Sequence, residues 1–438
     1  MTTETPQLTI GILTAESFEI ELSSGYKTTP SVDISAPLRF SISPSGMVEC
    51  SAGTRAREYR FDAEDSGATF TVRGVKIGIG FHWEQLRDQR FSGSLRVIPD
   101  GEGRIVAINV IDIESYLRSV ISSEMNPQAP EEFLKAHAVI SRSWALAQIT
   151  DMPHTRASRP SVTDSEIRRW YDREAHTLFD LCADDHCQRY QGITRISTAV
   201  AAGAVADTRG MVLTHGGELC DTRFSKCCGG VFEVFETCWD DNPRPYLQAR
   251  RDAVDPLDYP NLSIEENAVS WILDKPEAFC NTADRRVLAQ VLNGYDQETP
   301  DFYRWTETLT QEKISRLIRE RLGRDLGAIM SLTPLTRGTS GRIRELKITG
   351  TKGEITIGKE LMIRRTLSDS HLYSSAFVVE PMPDGSDGVP AGFTLRGAGW
   401  GHGVGLCQIG AAIMADRGYT YSEILSRYYP GATLTKMY

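Results

Sequence analysis

The chain has 438 residues, of which 40% are hydrophobic and 24% are charged, as in a soluble globular protein long enough for two or three domains. Its net charge is −10 and it contains no basic block, which argues against nucleic acid or an anionic membrane surface as a partner. Because no run of about 18 apolar residues occurs, we expect no transmembrane segment.

The N-terminus and the cysteines bear on the cellular compartment. The first six residues lack the basic and apolar regions of a secretory signal, so we expect either a cytoplasmic protein or one from which a signal has been removed. Nine cysteines, an odd number spread over the whole chain, do not suggest a disulfide framework. Four of them lie from Cys220 to Cys238, either as packed thiols, which is the default interpretation, or as part of a metal site.

The first half of the chain is predicted to be mainly β, with one pair of helices. Residues 7–110 contain short β-branched runs between Gly, Ser, Pro and Asp turns, which are typical of strands. Apolar periodicity predicts helices at 112–124 and about 130–149, and Pro127 and Pro130 separate them. Residues 194–250 are then expected to return to short strands.

The second half of the chain is predicted to begin with helices, to continue with strands and to end with helices. Residues 262–330 are predicted to form a helical insertion, with helices at 265–272, 283–292 and 311–322. Strands resume at 343–348 and 354–357, and helices follow at 407–417 and after a capping box of Thr420 and Glu423. The sequence therefore predicts an α+β fold, with a β-rich scaffold, a helix pair near 112–149, a helical insertion and C-terminal helices.

Glu124 lies where a helix would normally bury an apolar side chain. Upstream of it, apolar residues recur at three- and four-residue spacing, namely Ile113, Tyr116, Leu117, Val120 and Ile121. Because Glu124 continues this stripe, we expect apolar packing to disfavour its charged form and to raise its pKa. A carboxylic acid kept protonated near neutral pH is a candidate general acid, whereas a Glu turned toward solvent at the helix end is the alternative.

Two His and two Cys lie close together in the sequence, at His176, Cys182, His186 and Cys187. Imidazole and thiolate are ligands that suit Zn²⁺, and the five-residue step between the two cysteines can close around a metal. No paired Cys-x₂-Cys is present, which excludes a zinc finger, and unrelated polar loop residues are the alternative interpretation.

Two glycine-containing stretches are candidates for a ligand cleft. The Cys-Cys-Gly-Gly sequence at 227–230 predicts a tight turn, either a bare one or one whose N–H groups face a cleft. The alternating glycines at 397–410 allow close backbone approach, but no phosphate-loop Lys-Ser/Thr follows, which argues against a nucleotide site. In this loop His402 beside Trp400 suits a carbohydrate cleft, and His402 with Cys407 is an alternative base and nucleophile.

These residues resemble the stage II sporulation protein D family, which includes the amidase enhancers. Four motifs occur in the family's order, followed by a similar segment from Glu423 to Tyr429. They are the helix pair with Glu124-Met125-Asn126-Pro127 and Arg142-Ser143-Trp144, the segment 182–190, the turn 227–230, where the family commonly has Ser-Ser-Gly-Gly, and the loop 399–405.

The resemblance implies a lytic transglycosylase, a carbon–oxygen lyase that cleaves the MurNAc–GlcNAc linkage of peptidoglycan. Its substrate would be glycan strands without stem peptides, and its products would carry 1,6-anhydroMurNAc ends. Glu124 corresponds to the family's catalytic glutamate, acting first as general acid and then as base. The chain would divide into a β-rich part at 1–104, the two halves of the core at 105–260 and 331–438, and the insertion at 261–330.

The resemblance also implies a zinc ion with a structural role. Its ligands would be His176, Cys182 and Cys187, with His186 as the alternative to His176. A further set of residues is expected to bind the glycan, namely Arg142, Cys227, Cys228, Gly229, Gly230, His402 and Gln408.

Two other functions are open at this point. One is a non-catalytic glycan-binding protein that stimulates a cell-wall amidase, and the other is a Cys-His peptidase that uses Cys407 and His402. The family implies a location in the cell envelope, which contrasts with the absence of a signal in this sequence.

Overall fold

The computed structural model describes residues 4–79, 84–126, 128–150, 160–171, 176–184, 186–194, 198–291, 301–383 and 388–438. Pro127, Asp185 and Leu292, which belong to predicted elements or motifs, lie outside this part of the chain. Within it, 25 strands accompany ten α-helices, which confirms the predicted α+β fold with a β-rich scaffold. None of the described helices combines the length and the hydrophobicity that crossing a membrane requires.

The elements are numbered in chain order. The helices α1–α10 are Ile113–Glu124, Glu131–Ile149, Ala199–Asp207, Phe235–Cys238, Glu265–Asp274, Arg285–Val291, Gln311–Leu322, Glu360–Thr366, Gln408–Asp416 and Tyr421–Tyr428. The strands β1–β14 are Gln7–Ala15, Ser17–Leu22, Tyr26–Thr29, Leu38–Ile42, Val48–Cys50, Thr54–Ala56, Tyr59–Ala63, Thr69–Ile77, Gln85–Ser92, Ser94–Pro99, Ile105–Asp112, Ser161–Val162, Glu166–Arg168 and Leu181–Cys182. The strands β15–β25 are Met211–His215, Glu218–Leu219, Phe224–Ser225, Arg304–Thr310, Ile329–Arg337, Ile343–Gly350, Gly353–Gly358, Phe377–Pro381, Gly392–Ala398, Leu406–Cys407 and Thr433–Lys436.

The chain folds into two compact units. Unit 1 comprises Met1–Asp151, Arg173–Leu213 and Leu434–Tyr438, and unit 2 comprises Met152–Asp172 and Thr214–Thr433. The four segments predicted from the sequence follow changes in sequence character rather than spatial compactness, and they stay a prediction.

Unit 1 is built on two six-stranded sheets. Their strand orders are β14-β1-β11-β10-β7-β3 and β6-β5-β4-β2-β8-β9. Phe40 of β4 and Tyr59 of β7 meet edge to face with ring centroids 5.1 Å apart, so an aromatic contact joins the apolar faces of the two sheets. The first sheet positions the helices, because β11 leads directly into α1, and Asp112 caps that helix by accepting a hydrogen bond from the Ser115 N–H.

The helices α1, α2 and α3 pack against one another in unit 1. The helices predicted at 112–124 and 130–149 correspond to α1 and α2. The prediction of short strands at 194–250 is wrong at residues 199–207 and 235–238, which form α3 and α4. The α3 segment is rich in Ala, the strongest helix former, and Thr198 caps it by accepting from the Ala201 N–H.

Unit 2 combines a five-stranded sheet, β12-β13-β21-β20-β19, with a three-stranded sheet, β18-β23-β22. Apolar residues of α7 and α8 share a core with both sheets. The three helices predicted at 262–330 correspond to α5, α6 and α7, and an additional strand that was not predicted, β18, lies between α6 and α7. This strand reads Arg-Trp-Thr-Glu-Thr-Leu-Thr, which is rich in the Thr and Trp residues that favour strands, and it pairs with β23 along its whole length.

A buried ion pair joins α1 to α2. Arg142, fully buried, donates from Nε to Glu114 Oε1 at 2.9 Å and from Nη2 to Oε2 at 2.7 Å, while Nη1 donates to the Met211 carbonyl at 3.0 Å. Burial opposes ionisation of Glu114, but the Arg142 guanidinium holds the pKa of this carboxyl group below its ordinary value. The contacts of Arg142 are thus with groups inside unit 1, and its role in glycan binding stays a prediction.

We expect Arg142→Met to lower the free energy of unfolding by about 3–5 kcal/mol, since it leaves the buried Glu114 carboxylate without its partner. Urea denaturation followed by circular dichroism measures this loss. Arg118→Met on the exposed face of α1 is the matched control, with an expected change within about 0.5 kcal/mol. The double variant Arg142→Met/Glu114→Met should be more stable than Arg142→Met alone, and equal losses in Arg142→Met and Arg118→Met would contradict the structural role of the pair.

Candidate functional site

Glu124 is the last residue of α1, and its side chain is half-buried. Val120 and Ile121, which precede it on the predicted stripe, are fully buried. Its Oε1 accepts a hydrogen bond from the backbone N–H of Arg189 at 2.7 Å. The carboxyl group is therefore held in a defined position at the edge of the apolar core, while the raised pKa stays a prediction.

The segment that supplies the Arg189 amide is fixed at several points. At its start β14 pairs with β1 in parallel, with Ile10 opposite Leu181 and Gly11 opposite Cys182. Gly11 is required there because a Cβ at this position would overlap the Phe179 ring. Toward its end, the Gln191 N–H donates to Ser119 Oγ of α1 at 3.2 Å. The segment thus bridges β1 and α1, and Arg189 lies between these two attachments.

The four predicted metal ligands lie in the same segment and converge. One side-chain atom from each of His176, Cys182, His186 and Cys187 lies within 4.8 Å of the other three. His176 Nε2 is 3.2 Å from Cys187 Sγ and 3.2 Å from His186 Nδ1. Both histidines are therefore in place, where the sequence left a choice between them, and two Cys with two His match the ligand number of a closed tetrahedral zinc site.

The chemistry of this cluster suits a cation. A hydrogen bond with Cys187, partly offset by burial, and further hydrogen bonds with His176 and His186 lower the pKa of the Cys182 thiol well below its ordinary value. The thiolate is the form of cysteine that binds metals. The residues therefore fit a bound zinc ion or another soft divalent cation.

The Tyr116 side chain lies near both the His/Cys cluster and Glu124. Its phenol is fully buried on α1, and Tyr116 Oη donates to Gln188 Oε1 at 3.3 Å. Burial first, and then the negative charges of Cys187 and Glu124, raise the pKa of Tyr116 well above its ordinary value. The carboxyl group and the thiols thus lie close enough to one buried ring to act on it electrostatically.

A cleft of about 670 Å³ in unit 1 adjoins this site. Its walls come from β1, from β8 and from the segment that contains Cys182, Arg189 and Gln191. The volume lies within the range of small-molecule binding sites, about 300–1,000 Å³. Arg189 therefore belongs both to the lining of a cleft and to the hydrogen bond that fixes Glu124.

In unit 2 the turn 227–230 and the loop 397–410 interlock. Cys227 and Trp400 exchange two backbone hydrogen bonds, with N···O distances of 3.0 and 2.8 Å. Gly229 and Gly399 have φ angles of +80° and +78°, and a Cβ on either would lie 2.9 Å or less from backbone atoms of the other stretch. The glycines are therefore required for close backbone approach between two protein segments, one of the alternatives the sequence left open.

Arg342 contacts both of these stretches from their buried side, a role that the sequence analysis did not predict. The side chain is fully buried, and its guanidinium donates to the Cys228 carbonyl at 3.1 Å and to the Gly401 carbonyl at 3.1 Å. A Cβ at Gly403 would overlap this guanidinium. Arg342 directly precedes β20, and an Arg at such a position is usually exposed. Its burial and its contacts therefore become apparent only in the folded structure.

The predicted glycan-binding residues of unit 2 are largely internal. Cys227, Cys228 and Gln408 are almost completely buried, and Gly229 and Gly230 are buried with them. His402 is half-buried, with its Nδ1 accepting from the Val404 N–H at 3.0 Å. Burial, followed by the charges of Arg223 and Arg342, lowers the pKa of His402 well below its ordinary value, so the ring is neutral. Their contact with substrate stays a prediction.

The proposed base–nucleophile pair is not joined by a hydrogen bond in the described structure. Cys407 is fully buried, and its Sγ accepts from the Cys228 N–H at 3.2 Å. Its surroundings are the thiols of Cys227, Cys228 and Cys280. Cys280 and the neighbouring Asp252 are further groups that sequence analysis did not bring together with this loop.

Comparison with known proteins identifies the part of the chain that carries Glu124. Residues 101–215 match the family described as stage II sporulation protein. This segment therefore resembles the stage II sporulation protein family. It contains α1, α2, α3 and the His/Cys cluster, so the resemblance to the family is confirmed. Residues 233–405 match a second family, described as a domain of unknown function (DUF8618).

Individual relatives extend the similarity beyond residues 101–215. The amidase enhancer of Bacillus subtilis is 25% identical over 80% of this chain, and the match covers 46% of that protein. An uncharacterized protein of Brachyspira hyodysenteriae is 26% identical over 82% of the chain and 77% of its own length. Stage II sporulation protein D of Bacillus subtilis is 23% identical over 75% of the chain and 76% of its own length. The chain thus spans less than half of the amidase enhancer.

We expect Gly403→Ala to be more destabilising than Gly388→Ala, although the two glycines have nearly the same φ, +76° and +74°. Both substitutions place Ala in the left-handed region, at a cost of about 1–2 kcal/mol. At Gly388 nothing lies within 4 Å of the new Cβ, whereas at Gly403 it meets Arg342, which adds about 1–3 kcal/mol. Chemical denaturation of the two variants measures the difference, and equal stabilities would contradict the close packing around Arg342.

Proposed function

We propose that the protein is a lytic transglycosylase that cleaves the MurNAc–GlcNAc linkage of peptidoglycan strands and uses Glu124 as its catalytic residue. The observation that carries the proposal is the position of this carboxyl group. It ends α1, within the segment that matches the stage II sporulation protein family, and is half-buried, with one oxygen fixed by the Arg189 amide at 2.7 Å. A carboxyl group with one oxygen fixed by the backbone of a cleft-lining residue is a candidate for general acid–base catalysis.

A single carboxyl group suffices for the whole reaction. In its acid form Glu124 donates its proton to the glycosidic oxygen, the bond between this oxygen and C1 of MurNAc breaks, and an oxocarbenium-like species forms. The carboxylate then accepts the proton of the muramyl 6-hydroxyl while that oxygen bonds to C1 and closes the 1,6-anhydro ring. Glu124 returns to its starting form, and water takes no part.

The cleft that Arg189 lines is the proposed place for the glycan. Its walls include hydrogen-bonding side chains such as Gln89 and Arg73 next to apolar ones such as Ile79. This mixture suits sugar rings, which present hydroxyl groups at their edges and C–H groups on their faces. The proposed substrate lies in the cell envelope, and strands without stem peptides are the form that the family resemblance favours.

The His/Cys cluster is proposed to hold a structural zinc ion through His176, Cys182, His186 and Cys187. When bound, the ion supplies a fixed cross-link among these four side chains. The segment they define continues directly to Arg189, so the cluster sets the position of the amide that binds Glu124. The four residues thus act as positioning residues for the carboxyl group.

A second candidate function is stimulation of a cell-wall amidase without glycan cleavage. It is favoured by the name of the relative from Bacillus subtilis, "Amidase enhancer", which is 25% identical. In this alternative the cleft binds glycan and Glu124 is a binding residue. The peptidase alternative receives no such support, because the Cys407 thiol is fully buried among other thiols.

We expect Glu124→Gln to lower the rate at which purified glycan strands without stem peptides yield anhydromuramyl ends by at least about 10²-fold. Gln keeps an oxygen that accepts from the Arg189 amide but can neither donate the acidic proton nor act as the base. Mass spectrometry of the soluble products measures the rate. The control is Glu131→Gln, which alters an exposed carboxylate at the start of α2 and should leave the rate unchanged.

The same assay separates the two candidate functions. No anhydromuramyl product from the wild type, combined with faster hydrolysis by an added cell-wall amidase, would favour stimulation over cleavage. Product formation at the wild-type rate by Glu124→Gln would refute the catalytic role of this residue.

We expect Cys182→Ser/Cys187→Ser to lose about one equivalent of zinc per chain and to reduce the rate of product formation, since the segment that carries Arg189 loses its cross-link. Elemental analysis of the purified protein and the glycan assay provide the two measurements. Cys50→Ser, which alters a buried thiol elsewhere in unit 1, should change neither. Unchanged zinc content in the double variant would contradict the assignment of the cluster.

A further inference from the structure

Unit 2 contains a second group of side chains of the kind that binds metals. Ligand atoms of Cys228, Asp252, Cys280 and Cys407 all lie within 4.8 Å of one another, and all four residues are buried. Cys228 Sγ is 3.5 Å from Cys280 Sγ, too far for a disulfide, and all three cysteines are free. The group lies outside residues 101–215 and contains neither Glu124 nor any residue of the His/Cys cluster.

The four ligands come from separate parts of the chain and are individually positioned. Cys228 lies in the turn 227–230, and Cys407 lies at the end of β24 just before α9. Asp252 Oδ1 accepts from Tyr428 Oη at 2.8 Å, and its Oδ2 accepts from the Cys280 N–H at 3.1 Å. Gly410 allows this arrangement, because a Cβ there would overlap the Asp252 carboxyl group. The carboxyl orientation is thus set before any ligand binds.

The environment of this group suits a cation. Its four side chains are withdrawn from water, and the space that they share is lined by three sulfur atoms and one carboxyl group. A thiolate or carboxylate without a counter-charge is costly in such a space, and a bound cation would remove that cost.

We propose that Cys228, Asp252, Cys280 and Cys407 form a second metal site, which holds one structural zinc ion in unit 2. Zn–S bonds of about 2.3 Å in a tetrahedron place the sulfur atoms about 3.8 Å apart, which is compatible with the observed spacing. Four protein ligands close the coordination shell, as in structural zinc sites. Three thiolates select a soft cation such as zinc over magnesium or calcium.

The proposed ion would cross-link the turn 227–230, the loop at Asp252, the loop at Cys280 and the start of α9. Its function is to stabilise unit 2, and it takes no part in the chemistry assigned to Glu124. The proposal therefore goes beyond glycan cleavage, and it can fail or succeed independently of it.

The test measures metal content in full-length chains. Cys228→Ser/Cys280→Ser should lose about one equivalent of zinc relative to the wild type, while Cys182→Ser/Cys187→Ser keeps the ion of unit 2. Cys220→Ser is the matched control, because it alters a buried free thiol of the same unit outside the group and should keep the full zinc content. Circular dichroism identifies the variants that are folded.

A second measurement covers the case in which the Cys228→Ser/Cys280→Ser variant does not fold. The Cys182→Ser/Cys187→Ser chain, which keeps this group intact, is stripped of metal and titrated with Co²⁺. A sulfur-to-cobalt charge-transfer absorption that saturates at about one equivalent would support the site. Absence of this absorption, equal zinc content in folded Cys228→Ser/Cys280→Ser and wild type, or a Cys228–Cys280 disulfide in the purified wild type would overturn the proposal.

Discussion

The backbone amide of Arg189 determines where the carboxyl group of Glu124 lies, and the proposed chemistry depends on this hydrogen bond. A Glu at the end of a helix has several rotamers, and its helix alone would not select one of them. The segment 181–191 does so, because it is attached to β1 at one end and to Ser119 of α1 at the other. The β-rich scaffold thus contributes to the site by holding this segment beside the helix rather than by supplying reactive groups.

Local signals in the sequence were sufficient for much of this arrangement. The apolar spacing before Glu124 gave the correct limits of α1, and the density of His and Cys at 176–187 indicated ligands that the structure brings together. The capping box of Thr420 and Glu423 is present as predicted. Each of these patterns lies within a short stretch of sequence, less than about four helical turns. Within such a stretch the spacing of residues predicts how their side chains are arranged.

The features that the sequence did not reveal are those that depend on distant contacts. Nothing in the sequence around Arg342 indicates that it is buried or that it donates to two backbone carbonyls. Asp252 becomes a candidate metal ligand only because the fold places it next to Cys280 and Cys407. The helix α3 was missed for a different reason, since its residues are nearly all small and apolar and show no amphipathic helical spacing, although their Ala content favours a helix. The close backbone approach of Gly229 to Gly399 likewise became visible only in the fold.

The reciprocal packing of Gly229 and Gly399 has a consequence for how unit 2 acquires its structure. Neither position could carry a side chain once the two stretches are packed, and the parallel pairing of β17 with β24 joins the same two regions. Contacts between residues so far apart in sequence carry a large loop-closure cost and form slowly. During synthesis on the ribosome, the turn 227–230 therefore cannot adopt this packing until the loop 397–410 has emerged. Until then Cys227 and Cys228 lack the contacts that bury them in the folded chain.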